Sequence, residues 1–316
     1  MIGNFDLPIA KGNAKTYIFE AFPSNYISTI AVSMQRWNKP KGINFVYGLL
    51  IGQGSGGGGG FSIGAGPSGG GGGGGTPGGI LQFMQPAYLV PDTLYISVGV
   101  GGTGGNAGTA GGLGGFATGL WWTPMGSNVN TVNRAYYAYT NGDLAGVQSG
   151  RTGTNVAGGN GGSAASLSTT TVQSGIMGFS NYAQPTALSG FAGTLVSGTN
   201  ATFAGRPQGG AGGGGVTSGS AGAGGNVLGP TTSSQSIWSR DLSGGAATGQ
   251  AGEDGVTLFK PTFFSLPGAG GGANAVGTGG AGGKGGIGCG GGGGGAGVTG
   301  GRGGDGGDGL VILVCW

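Results

Sequence analysis

The sequence predicts a mostly irregular, all-β protein in which a bundle of left-handed polyglycine II helices is sandwiched with a few β-strands. Three observations lead there: 90 glycines in 316 residues, a three-residue repeat within the glycine tracts, and short apolar runs beside those tracts. So much glycine leaves too few side chains to fill a conventional core for a chain of this length. Glycine itself must then be the building material. A disordered chain would combine low hydrophobicity with high charge, whereas 36% of this chain is hydrophobic and only 7% charged, so something apolar is being buried.

The repeat is clearest near the carboxyl end. Thr278, Ala281, Lys284 and Ile287 stand three apart with two glycines in each gap, as do Thr299, Arg302, Asp305 and Asp308. Shorter stretches do the same at Ala157, Asn160 and Ser163, at Gln208 and Ala211, and at Ala110, Leu113 and Phe116. An extended left-handed helix has three residues per turn, so a Gly-Gly-X repeat puts every X on one edge and bare backbone on the other two. Such a helix has no internal hydrogen bonds, and its N–H and C=O groups must find partners in neighbouring helices or water. Collagen is a poor match, because it fills with bulk the two positions that are glycine here.

Ordering glycine costs on the order of 1–2 kcal/mol or more per residue, while a hydrogen bond returns only about 0.5–1.5 kcal/mol net. An isolated glycine helix would melt, and other parts of the chain must clamp the bundle. Three runs can do so. Gly309 to Trp316, GLVILVCW, reads as a strand buried on both faces, and Ile43 to Ile51 as a second strand. Thr93 to Val100 alternates, with Leu94, Ile96, Val98 and Val100 on one face. Each adjoins a glycine tract, so the strands are expected to form layers against which the glycine helices stack.

Inserts rich in Ser, Thr, Asn and aromatics at about 118–145, 164–204, 227–243 and 256–267 read as loops. Trp121, Trp122, Tyr136, Tyr137, Tyr139, Trp238, Phe263 and Phe264 concentrate there and are the candidate binding residues, since such side chains anchor recognition surfaces on rigid scaffolds. The alternative is that they plug the open ends of the bundle.

Composition excludes much chemistry. The chain has no histidine and only nine acidic residues, which removes most routes to a general base, a catalytic triad or a zinc site, so neither an enzyme nor a cofactor is expected. Cys289 and Cys315 are too few for a disulfide framework and are expected to be free thiols in a chain made in the cytoplasm. No secretion signal or membrane span is evident, and membrane insertion is not expected. The net charge of +3 arises from Lys11, Lys15, Arg36, Lys39 and Lys41 set against Asp6 and Glu20. The other basic residues are scattered singly, without the basic cluster interleaved with aromatics that a strand-binding groove needs, and nucleic acid is not an expected partner. GGDGGDGLV at 303–311 fits a calcium-binding nonapeptide once, but calcium rolls need tandem copies, so Asp305 and Asp308 are read as solvated X positions.

The run Trp37-Asn-Lys-Pro40-Lys-Gly42, the strand to Ile51 and then GQGSGGGGG resemble the opening of glycine-rich bacteriophage tail and tail-fibre proteins. GCGGGGGGAG at 288–297, the GGD repeats and GDGLVILV resemble the ending of that family, and the strand before GVGGTGG its middle. The resemblance implies a virion protein with polyglycine II architecture, whose loops between glycine helices touch a host surface protein or glycan. It covers most of 37–316 as one glycine-rich domain and leaves 1–36 as an attachment segment for other virion proteins. A capsid or neck decoration or connector protein is the alternative within the virion, and an ice-binding protein the alternative outside it. The sequence leaves open whether chains form a homo-oligomer.

Overall fold

A computed structural model describes residues 14–21, 34–64, 66–114, 118–122, 124, 136–140, 149–162, 171–172, 182–183, 190–202, 207–229, 241–259 and 263–316. Among them there is no α-helix; the chain is strand and irregular extended backbone, with one 3-10 turn at Ala87–Leu89.

Two antiparallel sheets form a sandwich. The first holds, in order, β1 (Lys15–Glu20), β19 (Leu310–Cys315), β3 (Phe45–Ile51), β5 (Ile80–Pro86) and β10 (Tyr182–Ala183). The second holds β2 (Gln35–Asn38), β6 (Thr93–Ser97), β7 (Thr118–Trp121), β8 (Tyr136–Thr140) and β9 (Thr171–Val172). Side chains alternate faces along a strand, so β19 sends Val311, Leu313 and Cys315 into the sandwich interior and Leu310, Ile312 and Val314 to the other face. In that interior they meet Val46, Leu50, Leu81 and Phe83 of the first sheet and Trp37, Leu94, Ile96 and Leu120 of the second. The unbroken apolar run at the carboxyl end is therefore a central strand buried on both faces.

The remaining strands are short pairings in the glycine region. β4 (Ser68–Gly69), β12 (Val216–Thr217) and β13 (Ser220–Ala221) form one sheet. β11 (Ala201–Thr202) pairs with β14 (Val227–Leu228), β15 (Thr257–Leu258) with β16 (Phe264–Ser265), and β17 (Asn274–Thr278) with β18 (Gly297–Thr299).

The glycine tracts do not stack on the sheets as layers; they continue the sandwich strands. β3 runs on into 52–60, β6 into 99–108, while 69–79 leads into β5 and 299–309 into β19. Their hydrogen bonds rotate around each segment in steps of three. The N–H groups of Gly52, Ser55, Gly58 and Phe61 go to the carbonyls of Gly79, Thr76, Gly73 and Gly70. Those of Gly54, Gly57 and Gly60 go to Gly307, Gly304 and Gly301, and those of Gly56 and Gly59 to Gly112 and Thr109. The carbonyls of Gly54 to Gly60 accept in the same rotation from 99–108, 149–155 and 289–297. One segment thus has six neighbours and leaves no backbone group along 54–60 to water, which meets the requirement that buried amides be paired.

Burial divides the segments into two classes. Residues 51–60, 69–80, 207–216, 265–273 and 288–297 are buried throughout. These are the near-homopolymeric glycine runs. The Gly-Gly-X tracts lie at the rim: Thr299 and Arg302 are exposed, Asp305 and Asp308 half-buried, and the glycines between them buried. With six neighbours there is no free edge for a side chain. A Cβ at Gly293, for instance, would lie 2.6 Å from the carbonyl carbon of Gly72 and 2.9 Å from the nitrogen of Gly213.

Several expectations need correction. Gln208 and Ala211 are X residues, yet both are buried, Ala211 in a small apolar cluster with Ala201, Val227, Leu242, Leu266 and Ala269. The inserts are not all loops: 118–145 contributes β7 and β8, 190–200 is a pair of hydrogen-bonded extended segments, and 256–267 holds the β15–β16 pairing. A boundary after residue 36 falls inside β2, and β1 pairs with β19, so the described part of 1–36 belongs to the sandwich.

Candidate functional site

The chain passes back and forth between two ends. Segments beginning near 52, 99, 149, 190, 207, 242, 266 and 289 run away from the sandwich, and those beginning near 69, 109, 157, 197, 221, 250, 279 and 300 return. The far end is made of the reversals between them, whose described residues are 61–64, 66–68, 106–109, 154–157, 194–197, 217–220, 246–249, 274–278 and 297–299. These reversals touch one another. Gly70 and Gly71 donate to the carbonyls of Thr154 and Thr194, the Thr217 hydroxyl donates to Leu195 O, and the Asn274 amide to Thr248 O.

Local side-chain bonds shape the turns. The Thr154 hydroxyl accepts from the Ala157 N–H at 3.0 Å, and the Thr194 hydroxyl accepts from the Val196 N–H at 3.0 Å, the short-range pattern that favours Thr in turns. Four of the turns lift a valine into solvent. Val156, Val196, Val276 and Val298 are exposed, Val276 to 91%. None of these reversals contains an Asp, Glu, Lys or Arg. The far end is therefore an uncharged surface of valine, threonine, serine, alanine and asparagine. Sequence reading missed it, because each turn is only a few residues long and their adjacency exists only after folding.

The fold brings part of the aromatic set together, with Trp121 on β7 opposite Tyr136 on β8, and leaves Phe263 and Phe264 at a separate pairing. Trp121 is not a surface anchor: it is buried in β7, where its Nε1–H donates to Ser97 Oγ at 2.8 Å. Trp122, next along the chain, is 41% exposed. Tyr136, Tyr137 and Tyr139 lie on β8. Phe263 and Phe264 are half-buried beside β15, and Phe263 meets Phe259 edge-on at 5.9 Å. Trp238 lies outside the described residues.

The acidic X residues have a structural task. Asp305 Oδ1 accepts from Gly104 N–H at 2.7 Å, and Asp308 Oδ1 from Gly101 N–H at 2.8 Å. Asp254 does the same for Lys284 N–H, Asp241 for Gly229 N–H, and Glu253 for Ser243 N–H. A rim segment lacks neighbours on its outer side, and a carboxylate from the adjacent segment replaces the missing carbonyl. Asp305 and Asp308 are thus engaged with backbone rather than merely solvated, and Asp305 also pairs with Arg302.

Neither cysteine is poised for chemistry. Both are free and buried, and burial pushes each thiol up to about 11; for Cys289 the bonds from Ser265 and Gln208 only partly offset that. Among the described residues no cluster of three or more Cys, Asp or Glu could hold a metal, and no helix is long and apolar enough to cross a membrane. No protein-family model matches the chain, and no curated protein matches it either.

Proposed function

We propose that the chain is a non-enzymatic structural protein of a bacteriophage particle, a tail-fibre-tip adhesin built on a bundle of polyglycine II helices. The period-three rotation of hydrogen bonds and the six-neighbour packing support the helix type, because a three-residue turn directs successive N–H groups to three different sides. The resemblance of the opening, middle and closing motifs to glycine-rich tail proteins supports the virion setting.

The observation that carries the recognition role is the far end: a rigid platform of short turns, free of charge, with valines held out in water. Interface cores are depleted of charged residues, and loops on rigid scaffolds are the usual site of recognition. On this reading the sandwich end faces the particle and the far end faces a host surface protein or glycan.

The test exchanges charge for methyl groups. Val196→Lys and Val276→Lys together should lower adsorption to the host by about tenfold or more, since a buried uncompensated charge is costly, while far-ultraviolet dichroism stays unchanged. Unchanged adsorption removes the far end from recognition. Loss on exchanging 118–145 or 227–243 instead would move recognition to those inserts. A second reading, a decoration or connector protein, draws on the placement of β7 and β8 within the sandwich, where the longest inserts join it. A particle map with the far end buried against other virion proteins would favour it.

A further inference from the structure

The motif Trp37 to Gly42 is absorbed neither by the glycine bundle nor by the far end. Trp37 anchors it, buried and edge-on to Tyr17 at 6.1 Å, and the following turn forms one wall of a cleft of about 330 Å³. Pro40, Lys41 and Ile43 line that wall; Ala87, Tyr88 and Asp92 line the other.

The walls are tied together without any ligand. Lys39 Nζ donates to Ala87 O at 2.9 Å and Val90 O at 2.6 Å and pairs with Asp92 Oδ1 at 2.9 Å, using all three ammonium hydrogens. The Lys39 N–H donates to Asp92 O, and the Ala87 N–H to Asn44 O. A cleft held this way is preformed, which lowers the cost of binding. Exposed side chains line it. Tyr88 is 81% exposed, on a 3-10 turn between Pro86 and Pro91 that holds its ring away from the core. The Asp92 side chain is 93% exposed, and Lys41 is exposed on the opposite wall.

We infer that this cleft is a binding site for a pyranose saccharide. An aromatic ring offers an apolar platform with a polar edge, suited to the C–H face of a sugar. A carboxylate and an ammonium on facing walls can accept from and donate to hydroxyls through charge-assisted bonds. The volume falls at the lower end of small-ligand sites, the scale of a monosaccharide unit. An anion fits poorly, because the Lys39 charge is already engaged and Asp92 repels. The inference does not depend on the virion reading, since the site is complete within the chain.

Saturation-transfer NMR on the full chain tests it, with the methyl glycosides of glucose, galactose, mannose and N-acetylglucosamine at millimolar concentration as probes. At least one should receive saturation on its ring C–H protons. Tyr88→Ala should remove the transfer, Tyr88→Phe retain it, and Asp92→Asn weaken binding several-fold; Tyr88 is a surface side chain, and an unchanged thermal transition shows that the variants fold. No transfer to any of the four, transfer unaffected by Tyr88→Ala, or displacement of the sugar by inorganic phosphate would overturn the assignment.

Discussion

Replacing one interior glycine by alanine tests the packing most directly. Gly293 sits in the middle of 289–297, and a Cβ there would come within 2.6 Å of Gly72 C and 2.9 Å of Gly213 N, where ordinary contact begins at 3.4 Å. The segment must retreat by about 0.8 Å or more. That stretches the bonds from Gly293 N–H to Ala211 O and from Gly72 N–H to Gly294 O, both 2.8 Å, to about 3.6 Å, beyond a useful hydrogen bond. Two such bonds leave four buried groups unpaired, two N–H and two C=O, at about 1–3 kcal/mol each, or about 4–12 kcal/mol together. Alanine returns only about 0.4–1 kcal/mol by stiffening the unfolded chain. Since a domain is stable by about 5–15 kcal/mol, Gly293→Ala should lose a large share of the total or fail to fold. Ala281→Ser, at an exposed X position, should stay within about 0.5 kcal/mol of the parent. Equilibrium denaturation of the pair measures both. If Gly293→Ala lay within about 1 kcal/mol of the parent, the argument from six-neighbour packing would be wrong.

Other perturbations read separate parts of the structure. Asp308→Ala should cost about 1–3 kcal/mol by orphaning the Gly101 N–H, while Asp308→Asn, which keeps an acceptor oxygen, should cost less; thermal melts of the two separate a capping role from a charge effect. Inserting one glycine after Gly73 should unfold the bundle by turning every later N–H toward the wrong neighbour, whereas inserting three preserves the rotation and should leave a folded chain; proteolysis distinguishes them. With a thiol raised to about 11, Cys289 should resist alkylation at pH 8 until the chain unfolds. Because the unfolded thiol ionises first, stability should fall as pH rises from about 9 through 11, which denaturation across that range checks. Deleting 310–316 removes the strand between β1 and β3 and should abolish folding, as judged by loss of a cooperative melt.

The strands were legible because they carry side-chain patterns. The apolar run at 309–316 read as a doubly buried strand and forms one over Leu310–Cys315, and Leu94 and Ile96 both face the core as their spacing requires. The period of three likewise placed Thr278, Ala281, Lys284 and Arg302 at the rim. What sequence could not show was which tracts lie inside. The glycine-richest runs carry no pattern that marks them as interior, yet they are the most enclosed, since nearly bare backbone lets neighbours approach on every side. Trp121 was misplaced for a related reason: aromatic residues in a polar insert resemble surface anchors until a neighbouring strand supplies Ser97 for the indole N–H. The far end was invisible because it is assembled from turns far apart in the chain, and the carboxylate caps because nothing local to Asp305 reveals the Gly104 N–H opposite it.

Glycine tracts raise a problem that their own sequence cannot solve. A run of identical residues has no register: slipping 52–60 against 70–79 by three would exchange equivalent partners and keep nearly every bond. The sandwich resolves the ambiguity. In β3 and β5, Ile51 stands opposite Ile80, and the next pairs are Gly52 with Gly79, Ser55 with Thr76, Gly58 with Gly73 and Phe61 with Gly70, each one step further along both chains. Against β19 the same holds, from Ile51 opposite Leu310 to Gly54 with Gly307, Gly57 with Gly304 and Gly60 with Gly301. Pairing is thus fixed where side chains can specify it and transmitted without slippage into segments where they cannot. Register there is specified by the shapes of side chains: Gly48 stands opposite Phe83, whose ring fills the space that a Cβ at position 48 would need. The hydroxyl pair Ser55 and Thr76, 2.9 Å apart within otherwise bare backbone, adds a second marker just beyond the sheet. The sandwich therefore does more than clamp the bundle against glycine's entropy: it supplies the alignment that lets turns separated by more than two hundred residues meet in one uncharged end face.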